Sequence, residues 1–214
     1  MSLKSFFRKL WNLIWKDDSP KGWIISLIVI FILVKFVFFP VLNLATGTKL
    51  PLVVVESCSM YHKGDVFTNF DGWWQRHVLK YDEFNIEKQD FEQYKMKDGF
   101  NKGDIIFSIG VKSENVGKGD VIIFQPSENA LKQTPIIHRI VQINSNTGEI
   151  QTIGDNNKQS LTSSNNIYKI DETSTKNEQI IGRAVLKIPY LGWAKLVFFD
   201  WQKQEEERGL CNEN

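Results

Sequence analysis

Between Trp23 and Ala45 the chain reads WIISLIVIFILVKFVFFPVLNLA, and this run constrains the fold more than any other feature. About 20 predominantly apolar residues suffice to cross the hydrocarbon core of a bilayer. The charge inside the run is Lys35, whose long stem can reach back to an interface. Pro40 is expected to kink the helix near its outer end. The preceding residues carry Lys4, Arg8, Lys9, Lys16 and Lys21 against Asp17 and Asp18. The positive-inside tendency therefore places the N-terminus in the cytoplasm and everything after residue 45 outside. A cleaved secretory signal is the competing reading. Ala45 and Gly47 are small enough for it, but its apolar region usually runs to only about 7–15 residues.

Residues 1–22 hold a second membrane feature. Leu3, Phe6, Phe7, Leu10, Trp11 and Ile14 recur at helical spacing, with Lys4, Arg8, Lys9 and Asn12 on the other side. A basic amphipathic helix of this kind lies in a headgroup layer or binds a partner.

The 214 residues leave room for one ordinary domain beyond the anchor, and 42% hydrophobic content supports a packed core. A net charge of +1 gives no electrostatic case for a nucleic-acid partner. The two cysteines, Cys58 and Cys211, make no disulfide framework and no zinc motif. A bridge between them is disfavoured, because Cys58 sits inside the candidate active site. No cofactor or metal is called for.

Past the anchor the pattern turns to strands, at 51–56, 104–109, 120–125, 136–143, 149–153 and 180–188. Lys-Gly-Asp triplets at 63–65, 102–104 and 118–120 read as turns whose glycine takes a positive φ before a strand. The expected fold is mainly β, a barrel or curled sheet over 46–201. The stretch 61–101 interrupts it as an insert, with Phe84, Glu87, Phe91 and Tyr94 loosely helical in spacing. Trp73 and Trp74 make that insert a cap or a second membrane contact. Residues 158–179 read as a polar loop, Leu191–Trp201 as an interfacial or barrel-covering helix, and 202–214 as a charged, frayed tail.

Three strings carry the chemistry: Ser57-Cys58-Ser59-Met60, Ile137-His138-Arg139 and Gly154-Asp155-Asn156-Asn157. They offer a hydroxyl nucleophile, an imidazole base and a carboxylate, in that order. A serine hydroxyl needs a neighbouring base to take its proton, and histidine titrates near neutrality. The set points to a serine hydrolase at a membrane surface.

With Gly119-Asp120-Val121-Ile122-Ile123-Phe124, Ile181-Gly182-Arg183-Ala184 and Pro189-Tyr190-Leu191-Gly192 added, the chain resembles the type I signal peptidases. The histidine places it with their archaeal and endoplasmic-reticulum branch; the bacterial branch carries lysine there. The resemblance covers the anchor and most of 50–193. It implies a membrane-anchored serine endopeptidase that removes signal peptides from exported preproteins at the outer face of a cell membrane or an endoplasmic-reticulum-type membrane. Ser59 would be the nucleophile, His138 the general base and Asp155 the orienting acid. Ser57 Oγ and the Ser59 backbone N–H would form the oxyanion hole. Implied partners are the preproteins, the lipid bilayer and the secretion translocon.

The chain departs from the family pattern in three places. Cys58 stands where glycine is usual, and Tyr61-His62 where proline is usual. Leu161 stands where the histidine branch carries a further aspartate. Asp171 is the candidate for that second acidic role, with Ser160 as a polar contact nearby. Cys58 as nucleophile is disfavoured, since on a strand it would face away from Ser57 and Ser59. The competing classes are a non-enzymatic membrane-anchored β module of the secretion machinery and a self-cleaving Ser-Lys protease. The latter would need a lysine where Ile-His-Arg stands.

Overall fold

The computed structural model describes residues 4, 5, 8, 9, 11, 12, 16, 19–63, 70–203, 205 and 208–212. Leu3, Phe6, Phe7, Leu10 and Ile14 of the amphipathic pattern lie outside them, as do Gly64 and Asp65 of the first Lys-Gly-Asp triplet. The chain divides into two units, Met1–Ala45 and Thr46–Asn214.

The first unit is dominated by one helical run, Pro20–Thr46, of 27 residues. At 1.5 Å per residue it is roughly 40 Å long, enough to cross a bilayer. Ser19 caps it by accepting from the Gly22 N–H at 3.1 Å, and Pro20 occupies the first turn, where its missing N–H costs nothing. Helix α1 (Pro20–Leu33) passes through a π-helical turn, Val34–Phe38, into α2 (Phe39–Thr46). The π turn ends just before Pro40, whose ring cannot donate to the ladder and crowds the carbonyl four residues back. The helix thus absorbs Pro40 by widening one turn. Lys35 Nζ lies 5.7 Å and 5.5 Å from the ring centres of Phe31 and Phe36.

The second unit is built on six antiparallel strands: β1 (Leu52–Val54), β2 (Ile105–Ile109), β3 (Val121–Phe124), β4 (Ile136–Ile143), β5 (Ile150–Ile153) and β6 (Ile180–Ile188). Their order is β1-β2-β6-β3-β4-β5. Register breaks at Phe107/Ser108, Ile123/Phe124 and Ile140/Gln142 supply bulges, which add twist and curl a sheet. The sheet is curled and open, with β1 and β5 at its edges. Each of the six expected strands is present. Gly103 and Gly119 take φ of +89° and +92° just before β2 and β3, and Asp104 and Asp120 cap those turns by accepting from Asn101 N–H and Gly117 N–H.

Side chains alternate across the sheet, and its two faces differ. Ile122, Phe124, Ile140 and Ile150 pack together on one face. The other face carries two clusters. Val55, Met60, Phe100, Ile106, Val121 and Ala184 form one. Val141 and Ile153 join Trp73, Trp74, Tyr81, Ile86 and Phe91 of the insert in the other.

The insert departs from its expected helix. Its main helix is α3 (Phe70–Asp82), and a second, short helix, α4 (Lys88–Gln93), covers only part of 82–97. Trp73 and Trp74 are 0% and 5% exposed, so they cap the sheet and have no surface to offer a membrane. The C-terminal helix α5 (Trp193–Phe199) buries Leu196 and leaves Val197, Phe198 and Phe199 exposed. The tail is not simply frayed: Cys211 is disulfide-bonded to Cys58, against the expectation from sequence.

Candidate active site

The chain leaves β1 after Val54 and turns. Ser57 and Ser59 sit in a bend and turn, not on a strand, and their hydroxyl oxygens are 3.1 Å apart. Cys58 is therefore not pointed into the domain by strand alternation. It faces Cys211 instead. The chain leaving β5 makes a second turn, Gly154–Asn157, and the two turns lock together. Asn156 N–H donates to the Ser59 carbonyl at 2.7 Å, and its side-chain amide donates to the Cys58 carbonyl at 3.0 Å. Asp155 N–H points at Met60 Sδ, 3.4 Å away. A side chain at Gly154 would place its Cβ 2.7 Å from the Ser59 carbonyl oxygen, so only glycine permits this approach. The two edges of the open sheet are thus joined at their outgoing turns, which are two of the three strings singled out in the sequence.

The third string lies on β4. Cross-strand pairing sets His138 opposite Ile122 and Arg139 opposite Val121, so the two side chains occupy opposite faces of the sheet. This separation decides which carboxylate each can meet. On the Ile122 face, His138 Nδ1 is hydrogen-bonded to Glu172 Oε2. Glu172 also accepts from Thr152 Oγ1 at 2.9 Å and from Leu161 N–H at 2.7 Å. Both His138 and Glu172 are buried. With Nδ1 bonded to Glu172, Nε2 is the other nitrogen of the ring.

On the opposite face, Arg139 meets Asp155 through Nε at 2.9 Å and Nη2 at 2.6 Å. Its guanidinium carbon lies 4.5 Å from the Phe91 ring centre, on the insert. Tyr81 Oη donates to Asp155 Oδ1 at 2.9 Å. His62 Nε2 lies 2.9 Å from Asp155 Oδ2, and its ring stacks on Trp73 at 3.6 Å. Burial works to raise the Asp155 pKa, but the Arg139 charge and the hydrogen bonds from His62 and Arg139 overcome it and hold the carboxyl well below the usual range. Burial pushes the His62 imidazole down to about 4, against the pull of Asp155. His62 is therefore neutral at pH 7, and its contact with Asp155 is a hydrogen bond and not an ion pair. Lys80 secures the same turn by donating to the backbone carbonyls of Asp155 and Asn157.

Asp155 thus bonds Arg139, Tyr81 and His62, while the acid bonded to His138 is Glu172. Asp171, the candidate second acid, is adjacent to Glu172 in sequence but turns to Thr173, accepting from its N–H at 3.0 Å and its hydroxyl at 2.7 Å. The mostly polar composition of 158–179 reads as a loop and hides Glu172. The segment instead runs inward beside β5, where Thr175 bridges Ile150 and Thr152 N–H donates to the Glu172 carbonyl. The usable signal was Ile170-Asp171-Glu172, in which the apolar residue and Glu172 are two apart and share an inward side. Ser160 donates to the Thr152 carbonyl at 2.9 Å and accepts from Gln151 at 3.2 Å.

The remaining strings tie the scaffold. Arg183 on β6 pairs with Asp120 at 3.1 Å. Gly192 N–H donates to the Gly103 carbonyl at 2.7 Å, and Tyr190 N–H to Asp104 Oδ1 at 3.1 Å. Among the described residues no group of three or more His, Cys, Asp or Glu side chains is placed to hold a metal.

No family model matches the chain. Among curated proteins it is similar to the signal peptidase complex catalytic subunit SEC11C of Homo sapiens, Mus musculus and Canis lupus familiaris. Each is 25% identical over 111 residues, 50% of this chain and 55% of the relative. The chain spans about half the length of the curated relatives it matches. It is a homologue of the signal peptidase catalytic subunits.

Proposed function

We propose that this protein is a membrane-anchored serine endopeptidase that removes signal peptides from exported preproteins. One observation supports the reading above the rest. The Ser57–Met60 turn is locked onto the Gly154–Asn157 turn through Asn156 and Ser59, while β4, paired with the strand that feeds the second turn, carries a buried His138–Glu172 pair. In this reading the first turn supplies the nucleophile, Ser59, and the buried pair supplies the base and its acid.

In this reading Ser59 Oγ attacks the scissile carbonyl carbon and His138 Nε2 takes its proton. Glu172 holds the imidazole by Nδ1 and stabilises the imidazolium that forms. The tetrahedral oxyanion is met by Ser57 Oγ and the Ser59 N–H. His138 then gives the proton to the departing amine, and water repeats the cycle on the acyl-enzyme. Asp155, assigned from the resemblance to the orienting role, serves here as the structural anchor of Arg139 and of the second turn.

The 27-residue helix provides the anchor, and confinement to one bilayer raises the effective concentration of tethered substrates. Lys and Arg cluster before it, and a disulfide in the domain after it belongs to an oxidising compartment. Both favour a single-pass topology with the domain outside the cytoplasm. The secretion translocon is the natural source of substrate at that face.

The test is cleavage of a labelled preprotein by membrane-embedded protein and by its Ser59→Ala variant. The proposal requires processing by the first and none by the second. A non-enzymatic β module would give equal results for both.

A further inference from the structure

The C-terminal tail converges on the nucleophile turn at several points. Cys211 is bonded to Cys58, the residue between the two serines, across 153 positions of sequence. The carbonyl of the next residue, Asn212, accepts from Asn156 Nδ2 at 3.0 Å, and that same amide donates to the Cys58 carbonyl. Upstream, Lys203 Nζ donates to the Glu56 carbonyl at 2.8 Å and lies 3.6 Å from its carboxylate. Asp200 is held by buried Lys102 at 2.7 Å and accepts from Gly209 N–H at 2.9 Å. Lys203 is therefore fastened to Glu56 and Cys211 to Cys58, and Asn156 bonds both Asn212 and Cys58.

We propose that this tail is a positioning element of the active site, and that the Cys58–Cys211 bridge makes catalysis depend on thiol redox state. The proposal rests on the reading of Ser59 as nucleophile. A turn outside regular structure has few restraints of its own, and a displacement of about 1 Å at a reacting group can cost a hundredfold in rate. The bridge removes that freedom. A dithiol reductant reverses it. One of its thiolates attacks Cys211 Sγ and expels the Cys58 thiolate. The second thiol then attacks the mixed disulfide, freeing Cys211 and leaving the reductant as a cyclic disulfide. Two electrons and two protons pass to the protein.

The test uses the full chain in membranes, oxidised or treated with dithiothreitol, together with Cys211→Ser and Asn156→Ala. Preprotein cleavage is followed well below the melting temperature. Reduction and Cys211→Ser are expected to lower kcat at least tenfold with KM within twofold, and Asn156→Ala to lower kcat with the bridge intact. Amide hydrogen exchange gives a readout independent of activity: protection at 57–61 falls on reduction while that of β2, β3 and β6 holds. Unchanged kcat, a rise in kcat on reduction, or unchanged protection at 57–61 would each overturn the proposal. The Ser59→Ala control keeps the two readings apart. If it cleaves like the parent, the peptidase reading fails, whatever the exchange data say of the clamp.

Discussion

Glu172 holds His138 by its Nδ1 nitrogen from 34 residues further along the chain. The pair is buried, and Thr152 and the Leu161 N–H fix the carboxylate from the other side. The position of Leu161 is informative. The family resemblance implies an aspartate there, and in this chain its backbone N–H instead donates to the glutamate that reaches His138. In this chain the carboxylate that meets His138 is that of Glu172.

Glu172→Gln therefore breaks the orientation of the imidazole without emptying the space. We expect kcat to fall by at least about a hundredfold with little change in KM. Asp171→Asn removes only a local turn contact and should leave kcat within about twofold. Steady-state kinetics on a labelled preprotein distinguishes the two.

Asp155→Asn acts on the other face. It leaves the Arg139 guanidinium buried and without a compensating charge, at a cost of about 3–5 kcal/mol. Thermal unfolding should show a large drop in Tm, with activity lost through unfolding. A fully stable but inactive variant would return Asp155 to the chemistry.

Stability should fall with acid. His62 in the folded chain is pushed down to about 4, whereas an exposed imidazole titrates near 6.5. Between those values the unfolded state binds a proton that the folded state refuses, so stability rises with pH across that window. The loss on going from about pH 7 to about pH 4 is roughly 3 kcal/mol. Asp155, whose pKa is also depressed, adds to the loss below its ordinary range. Denaturant melts at several pH values test this, and His62→Phe should flatten the upper part of the dependence.

Gly154→Ala puts a methyl group 2.7 Å from the Ser59 carbonyl oxygen. One of the two turns must then move. We expect kcat to fall more than tenfold while far-UV circular dichroism stays unchanged, because the sheet itself is untouched.

Much of this architecture was legible in local sequence. The long apolar helix declares itself by length and composition, and β4 and β6 begin and end where the β-rich runs and turn residues place them. The glycines of two Lys-Gly-Asp turns have the positive φ that their position before a strand implied. Relations between distant segments were harder to see. Which carboxylate meets His138 depends on the face that each residue of β4 takes and on how 158–179 folds back beside β5, and neither is written in a motif. The helix at 70–82 was obscured because Trp73 and Trp74 suit a membrane surface as well as a core. The Cys58–Cys211 bridge is disfavoured in sequence because Cys58 sits inside the candidate site, and Cys58 as nucleophile because strand alternation would aim it away from the serines. A turn obeys no such alternation.

The most direct measurement of the central claim is single-turnover processing of a membrane-embedded preprotein, followed by gel and N-terminal sequencing, for the parent chain and for Ser59→Ala and His138→Ala. The account predicts one defined cut by the parent and none by either variant, with all three folded by circular dichroism. Cleavage at the same bond by a folded Ser59→Ala variant would contradict it.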